Sequence, residues 1–139
     1  MFIDNTWGQS LDILHRSMSV NLLRQDVIAN NIANVDTPNF KRSDVNYESA
    51  LRRALQSQRP TKLPGTYTNE RHIPFEKSID YQTVRPRRVL DFMTTAKNNG
   101  NNVDIEVESS NFITAQLAYN LMVNSVSHQF SSVNIVLRG

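Results

Sequence analysis

The sequence predicts a mainly α-helical protein in which long N- and C-terminal helices pair as an antiparallel coiled coil around a short irregular middle region. Apolar side chains recur at alternating spacings of four and three residues at both ends of the chain. This is the period of helices that wind around each other. Between the ends the chain is polar, basic and interrupted by proline and glycine, which is typical of turns and short elements.

The N-terminal coiled-coil helix is predicted within residues 1–37. Its apolar pattern is interrupted by Asn21 and Gln25. The helix must end before Pro38, because the proline ring removes a backbone donor and restricts Thr37 to extended conformations. The predicted seam on this helix comprises Trp7, Leu11, Leu14, Met18, Ile28, Ile32 and Val35.

The C-terminal coiled-coil helix is predicted over residues 104–139, after a turn-forming run of asparagine and glycine at 98–102. Asp104 can cap this helix, and Glu106 and Glu108 would face the positive end of its dipole. We expect the two ends to form one helical domain. The predicted seam on the second helix comprises Phe112, Tyr119, Val123, Val126, Phe130, Val133 and Leu137.

Residues 38–103 are predicted to be a polar, basic connecting region of partly irregular structure. A short helix is expected around Ala50 and Leu51, capped by Ser43 or Asp44, and a loop is expected over residues 58–70. Alternating side chains predict two short strands. They are marked by Ile79, Tyr81 and Thr83 and by Val89, Asp91 and Met93.

Charge is segregated along the chain. The middle, residues 37–103, holds twelve basic and six acidic side chains, whereas residues 112–137 contain no Asp, Glu, Lys or Arg. Apolar residues also lie off the predicted seam, and a helix that is apolar on more than one face must be buried on more than one face. We therefore expect the ends to fold fully only when neighbouring subunits cover the second face.

Asn30, Asn31 and Asn34 lie in the last turns of the N-terminal helix, where asparagine is a mediocre helix former. If the apolar residues around them lie on the seam, all three amides project outward and can pair with a neighbour without charge. A frayed helix end followed by a turn explains the local sequence equally well.

The sequence offers little for catalysis or cofactor binding. It contains no cysteine, and His15, His72 and His128 lack the spacing of metal ligands. Glycine-rich phosphate loops and nucleophile elbows are missing, so no catalytic residue, cofactor or metal is expected and the protein is predicted not to be an enzyme. The uncharged C-terminal stretch is too polar for a direct membrane span, and the first ten residues do not resemble a cleaved secretory signal.

Two other functions fit parts of the sequence. Basic side chains in the middle segment could form a nucleic-acid-binding patch; they are Lys41, Arg42, Arg52, Arg53, Arg85, Arg87 and Arg88. Solvated surface charge explains them as well, since Arg85 to Arg88 lie in a predicted loop with few aromatic residues. Alternatively, the helices could belong to an adaptor that forms a closed coiled-coil dimer.

One motif resembles the N-terminal signature of bacterial flagellar axial proteins, the rod, hook and hook-associated subunits. It comprises Ala29, Asn30, Asn31, Ile32, Ala33, Asn34, Thr37, Pro38 and Phe40. The short middle, and the run from Gly100 to Glu106, resemble proximal rod subunits rather than the hook. Where that family commonly has glycine, this chain has Asn39, which tolerates a positive φ.

The resemblance implies a structural subunit of the flagellar basal-body rod, which assembles through its terminal helices and transmits torque across the periplasm. It implies export by the flagellar type III system without a cleaved signal peptide. Implied partners are other copies of the chain, rod subunits of the FlgC, FlgF and FlgG type, the rod-base adaptor FliE, and the membrane ring and export gate. Nucleic acid is not among them.

Overall fold

A computed structural model describes residues 6–58, 69, 71, 78–94 and 97–138 of the chain. In chain order the elements are α1 (Thr6–Ala33), β1 (Ser43–Asn46), α2 (Glu48–Ser57), a 3-10 turn (Tyr81–Thr83), β2 (Arg87–Leu90) and α3 (Ile105–Arg138). The two long helices pack against each other, and β1 pairs with β2 in a two-stranded sheet. The predicted fold class is therefore confirmed.

The chain forms two compact units, one of residues 1–45 and 88–139 and one of residues 46–87. The first unit contains α1, α3 and most of the two strands. The second contains α2 and the 3-10 turn, with Tyr47, Ala54 and Tyr81 buried. None of the helices in the described residues is sufficiently long and apolar to span a membrane.

α1 ends where the sequence predicts, ahead of Pro38. Its last turn tightens because the backbone N–H of Asn34 donates to the carbonyls of both Asn30 and Asn31, at 3.2 and 3.1 Å. The Asn34 side chain also donates to the Asn30 carbonyl at 2.8 Å. These bonds satisfy carbonyls that a helix end otherwise leaves unpaired.

α3 begins directly after Asp104, as expected from its capping residue. The Asp104 Oδ1 atom accepts the backbone N–H of Glu106 at 2.9 Å and that of Val107 at 3.4 Å. Such a cap satisfies N–H groups that the first helical turn leaves free. From there the helix runs without interruption for 34 residues.

The short helix is confirmed as α2, but the prediction that Ser43 or Asp44 caps it is wrong. Both residues lie in β1, and α2 begins at Glu48. The side-chain oxygen of Asn31 accepts the Ser43 N–H, and its amide donates to the Ser43 carbonyl. This two-way contact holds Ser43 in extended backbone rather than at a helix start.

The strand predicted around Ile79, Tyr81 and Thr83 is wrong, because Tyr81–Thr83 form a 3-10 turn. Its physical cause is Asp80, whose carboxylate accepts the Gln82 N–H at 2.9 Å and closes the turn. Most of the loop predicted for 58–70 lies outside the described residues.

The second predicted strand is correct only at Val89, which lies in β2, since Asp91 and Met93 follow the strand end. The Asp91 carboxylate accepts the backbone N–H groups of Met93 and Thr94 and turns the chain. A hydrogen bond from the Thr94 hydroxyl, together with these two N–H groups, lowers the pKa of Asp91.

Candidate functional site

The contact between α1 and α3 that lies near the start of α1 is aromatic. The rings of Trp7 and Phe130 meet edge to face, with centroids 6.2 Å apart and planes at 88°, an arrangement that aromatic quadrupoles favour. Beside this pair, Leu11, Met18 and Val126 line an apolar groove of about 590 Å³. Five of the predicted seam residues thus come together at this end.

The other predicted seam residues differ in burial. On α1, Ile28 is buried and Leu14, Ile32 and Val35 are half-buried; on α3, Phe112 and Tyr119 are half-buried, while Val123, Val133 and Leu137 are exposed. Leu137 keeps 78% of its surface. The role of the whole set as a helix-pair seam stays a prediction.

Sequence reasoning missed Ala115, Met122 and Gln129, which are more buried than several predicted seam positions on α3. The signal that could have found them is the other order of steps in the same heptad pattern. Stepping three and then four residues from Phe112 reaches Ala115, Met122 and Gln129, which are buried or half-buried. Stepping four and then three from the same residue reaches Val123 and Phe130 instead, which are exposed.

At the opposite end of the helix pair, the expectation that Asn31 projects outward is wrong. Asn31 has no exposed surface, and its amide donates to the Ser43 carbonyl at 2.8 Å and to Glu108 Oε2 at 2.9 Å. Buried amides need such partners, because an unpaired polar group is costly in the interior. Asn30 is exposed and Asn34 half-buried, so only part of the motif faces outward.

Glu108 has a second role that its position in the first turn of α3 did not predict. The residue is 1% exposed, and the Arg42 guanidinium lies 3.1 Å from its Oε1 atom. The carboxylate therefore has an amide partner from α1 and a cationic partner from the segment before β1. Burial of a carboxylate is tolerated only with such partners.

Asn101, in the turn before α3, holds the chain segment that follows α1. It is fully buried, and its amide donates to the carbonyls of Asn34, Val35 and Thr37 at 2.9, 3.0 and 2.9 Å. Its side-chain oxygen accepts the Val103 N–H at 2.7 Å. One side chain thus satisfies the carbonyls released at the end of α1.

Two turns with left-handed backbone meet beside Asn101. Asn39 has φ 59° and Gly100 has φ 80°, and the Asn39 N–H donates to the Asn99 carbonyl at 3.0 Å. The positive φ expected for Asn39 is confirmed. At Gly100 a side chain is disfavoured for two reasons. The φ of 80° is one that residues with a side chain rarely adopt, and a Cβ atom there would lie 2.6 Å from Asn39 Oδ1.

Further bonds tie the same segments together. Lys97 donates to the Val35 carbonyl at 2.9 Å, Lys41 to the Gly100 carbonyl at 2.8 Å, and Asn102 accepts the Arg42 N–H at 2.7 Å. We call this network the polar clasp, and define it by the side chains of Asn31, Lys41, Arg42, Lys97, Asn101, Asn102 and Glu108.

The basic residues named for the nucleic-acid hypothesis lie on several different elements. Lys41 and Arg42 are engaged inside the polar clasp. Arg52 and Arg53 lie on α2, and Arg85, Arg87 and Arg88 lie in and before β2, all of them exposed.

The histidines were predicted to lack the spacing of metal ligands. His15 and His128 are exposed on different helices, and His72 lies outside the described residues. In the part of the chain that the structure describes, no three His, Asp or Glu side chains are grouped as metal ligands.

A long helix pair closed by a polar clasp and carrying an uncharged face defines a structural protein built from its two chain ends. The comparisons with known proteins agree. The family described as flagella basal body rod protein matches residues 11–41, which include the asparagine motif.

The chain is similar over nearly its whole length to flagellar basal body rod proteins named FlgB. It is 46% identical to FlgB of Borrelia hermsii over 96% of this chain and 99% of that protein. Identity is 32% to FlgB of Bacillus subtilis, with 91% of each chain covered, and 28% to FlgB of Escherichia coli, with 93% of each covered.

The chain belongs to the FlgB family of flagellar basal body rod proteins. Membership makes it a structural rod protein and not an enzyme, and locates it in the flagellar basal body. Nothing in the comparisons supports nucleic-acid binding.

Proposed function

We propose that the chain is a proximal-rod subunit that assembles through its terminal helices into the axial shaft transmitting torque across the periplasm. Membership of the FlgB family supports the rod as the location of this chain. The observation that carries the mode of assembly is the outer face of α3, which is apolar, uncharged and exposed in the single chain.

The outer face of α3 extends over most of the helix. Its large apolar residues are exposed by 59–73%, with Ile135 at the upper limit. They are Ile113, Leu117, Leu121 and Ile135. Apolar patches of this extent on a protein surface mark contact with other proteins, and each large side chain contributes roughly 1.5–3 kcal/mol when buried.

The proposed partners are further copies of this chain and rod subunits of the FlgC, FlgF and FlgG type. The adaptor FliE, the membrane ring and the export gate are proposed neighbours at the rod base. A photo-crosslinking amino acid at Leu121 in living cells tests this. Adducts with these proteins support the assignment, and adducts confined to unrelated proteins contradict it.

The motif from Ala29 to Phe40 is proposed to serve assembly mainly through the polar clasp. Asn31 is directed into the subunit, whereas Asn30 and Pro38 are exposed and available to neighbours. Substituting Asn31 should therefore alter the fold of the subunit. Substituting Asn30 should leave the fold intact and affect only assembly.

The test of the outer face is the double variant Leu117→Lys/Leu121→Lys. Both side chains are exposed and lie one helical turn apart, so the variant should have the same helix content as the unsubstituted chain at concentrations where both are monomeric. Incorporation into basal bodies and swimming should be lost, because lysines desolvated at an interface are costly. The matched control is Ser109→Lys, exposed on α3 before the uncharged stretch. Normal swimming of the double variant would refute the proposal.

We also propose that the chain reaches the periplasm through the flagellar type III system, without a cleaved signal peptide. The measurement is the mass of the chain in isolated basal bodies and its cellular location in a strain that lacks the flagellar export gate. An uncleaved chain that stays cytoplasmic in that strain is expected. A cleaved chain, or one exported without the gate, would contradict this route.

A further inference from the structure

We propose that the polar clasp, rather than the apolar seam, sets the axial register in which α1 and α3 pair. Register here means which turn of α3 lies against a given turn of α1. Under the proposed function, register also decides which residues α3 presents to neighbouring subunits.

The two ends of the helix pair are in one continuous register. From Trp7 to Asn31 along α1 is about 36 Å, and from Glu108 to Phe130 along α3 is about 33 Å, at the rise of an α-helix. Trp7 meets Phe130 and Asn31 meets Glu108. The helices therefore stay side by side over this length without a slip.

The apolar side chains of the seam carry little information about register. Sliding α3 by one heptad, about 10.5 Å, replaces Phe130 at Trp7 by Val123 or Leu137, and replaces Val126 by Tyr119 or Val133. Each replacement is again apolar or aromatic. Because residues 112–137 contain no Asp, Glu, Lys or Arg, no salt bridge along this stretch distinguishes one register from another.

The contact of Asn31 with Glu108 in the polar clasp exists in one register. The backbone of Ser43 bonds both the oxygen and the nitrogen of the Asn31 side chain and so fixes its orientation. The same side-chain nitrogen also donates to Glu108. A slip of one heptad brings Ala115 to Asn31 and removes Asn31 as a partner of the Glu108 carboxylate. A single buried polar pair is known to fix helix register in this way.

Asn101 also restricts the register of α3, from a position outside both helices. It is only four residues before Ile105 in the sequence, and it bonds three carbonyls directly after α1. A slip of α3 by one heptad would have to break these bonds. The start of α3 is thus tied to the end of α1 on both sides of the helix boundary.

The experiment uses the full chain, which lacks cysteine, at a concentration where circular dichroism shows the helices formed. Leu11→Cys is combined in turn with Val126→Cys, Tyr119→Cys or Val133→Cys, and a short bismaleimide joins the thiols. Leu11 and Val126 line the same groove, so this pair reports the native register and the other two report slips of one heptad. We expect the native pair to dominate by about tenfold.

Two further variants separate the polar clasp from the seam. Asn31→Leu/Glu108→Leu/Asn101→Ala removes the clasp and replaces its buried pair by apolar groups, which is often tolerated; the three crosslinks should then approach equal yield. Trp7→Leu/Phe130→Leu removes the aromatic pair and keeps the clasp; the native crosslink should still dominate.

Retention of the native crosslink without the clasp, or its loss without the aromatic pair, overturns the proposal. If the clasp variant does not fold, the aromatic variant decides alone, since a seam-determined register would then slip. Rod incorporation is not part of this readout, so its outcome does not depend on the proposed function.

Discussion

At the scale of single residues, the Asn101 side chain donates to three backbone carbonyls at the end of α1. Replacing it by alanine leaves the carbonyls of Asn34, Val35 and Thr37 without their common donor. We expect Asn101→Ala to lower the free energy of unfolding by about 2–4 kcal/mol, measured by urea unfolding followed by circular dichroism. Asn98→Ala is the control, because Asn98 is exposed in the same turn. Equal effects of the two substitutions would contradict this role.

Gly100 and Asn39 give a second prediction, about backbone strain. Gly100→Ala places a side chain at φ 80° and against Asn39 Oδ1, so we expect a loss of about 1–3 kcal/mol. Asn39→Gly alone should be nearly neutral, since glycine adopts a φ of 59° freely.

The double variant Gly100→Ala/Asn39→Gly separates the two causes of that loss. Removing the Asn39 side chain relieves the close contact but not the strained φ, so the double variant should recover about 0.5–1 kcal/mol. Thermal unfolding of all four chains completes the cycle. Strict additivity would show that the contact with Asn39 contributes nothing.

The burial of Asn31 shows what a single sequence does not reveal at this scale. An asparagine near the end of a helix is compatible with a frayed end, an outward amide or a buried one. The deciding partner, Glu108, lies 77 residues away in the chain, and its spacing from Asn31 carries no local periodicity. By contrast, Asn39 was predictable, because the tolerance of asparagine for positive φ is a local property.

At the scale of elements, the long helices could be predicted from the sequence and the short strands could not. α1 and α3 extend over 28 and 34 residues, long enough for an apolar period to repeat several times. β1 and β2 have four residues each, so alternation in them is no stronger than chance. Side-chain hydrogen bonds decide the local structure instead: the Asp80 carboxylate starts the 3-10 turn, and the Asp91 carboxylate turns the chain after β2.

The pairing of α1 with α3 gives a prediction at this scale. Val126 is half-buried beside Trp7, so Val126→Asp places a charge in the apolar groove and should reduce helix content and abolish rod incorporation. Leu121→Asp is the matched control, since Leu121 is 69% exposed on the same helix. It should keep the helix content that the purified chain has as a monomer. Normal motility of the Val126→Asp strain would be incompatible with a seam at this position.

At the scale of the whole molecule, the functional part is made from the two ends of the chain. The first compact unit joins residues 1–45 to residues 88–139, and the polar clasp closes it with bonds between those two stretches. The helix pair therefore cannot be completed until both stretches are present. Among the described residues of the helix pair, most of the exposed large apolar side chains lie on α3, and Leu22 and Leu23 are exposed on α1.

That exposed face leads to a prediction about the state of the purified chain. An apolar face without charge gains free energy when other chains cover it, and subunits that add in a head-to-tail manner form open assemblies. We expect helix content to rise with concentration in circular dichroism, together with a broad, growing distribution in sedimentation velocity. The variant Leu117→Lys/Leu121→Lys should stay monomeric at the same concentrations. A closed dimer would instead give one sedimenting species and a helix content independent of concentration above the micromolar range. That result would favour an adaptor-like coiled coil over assembly through the outer face of α3.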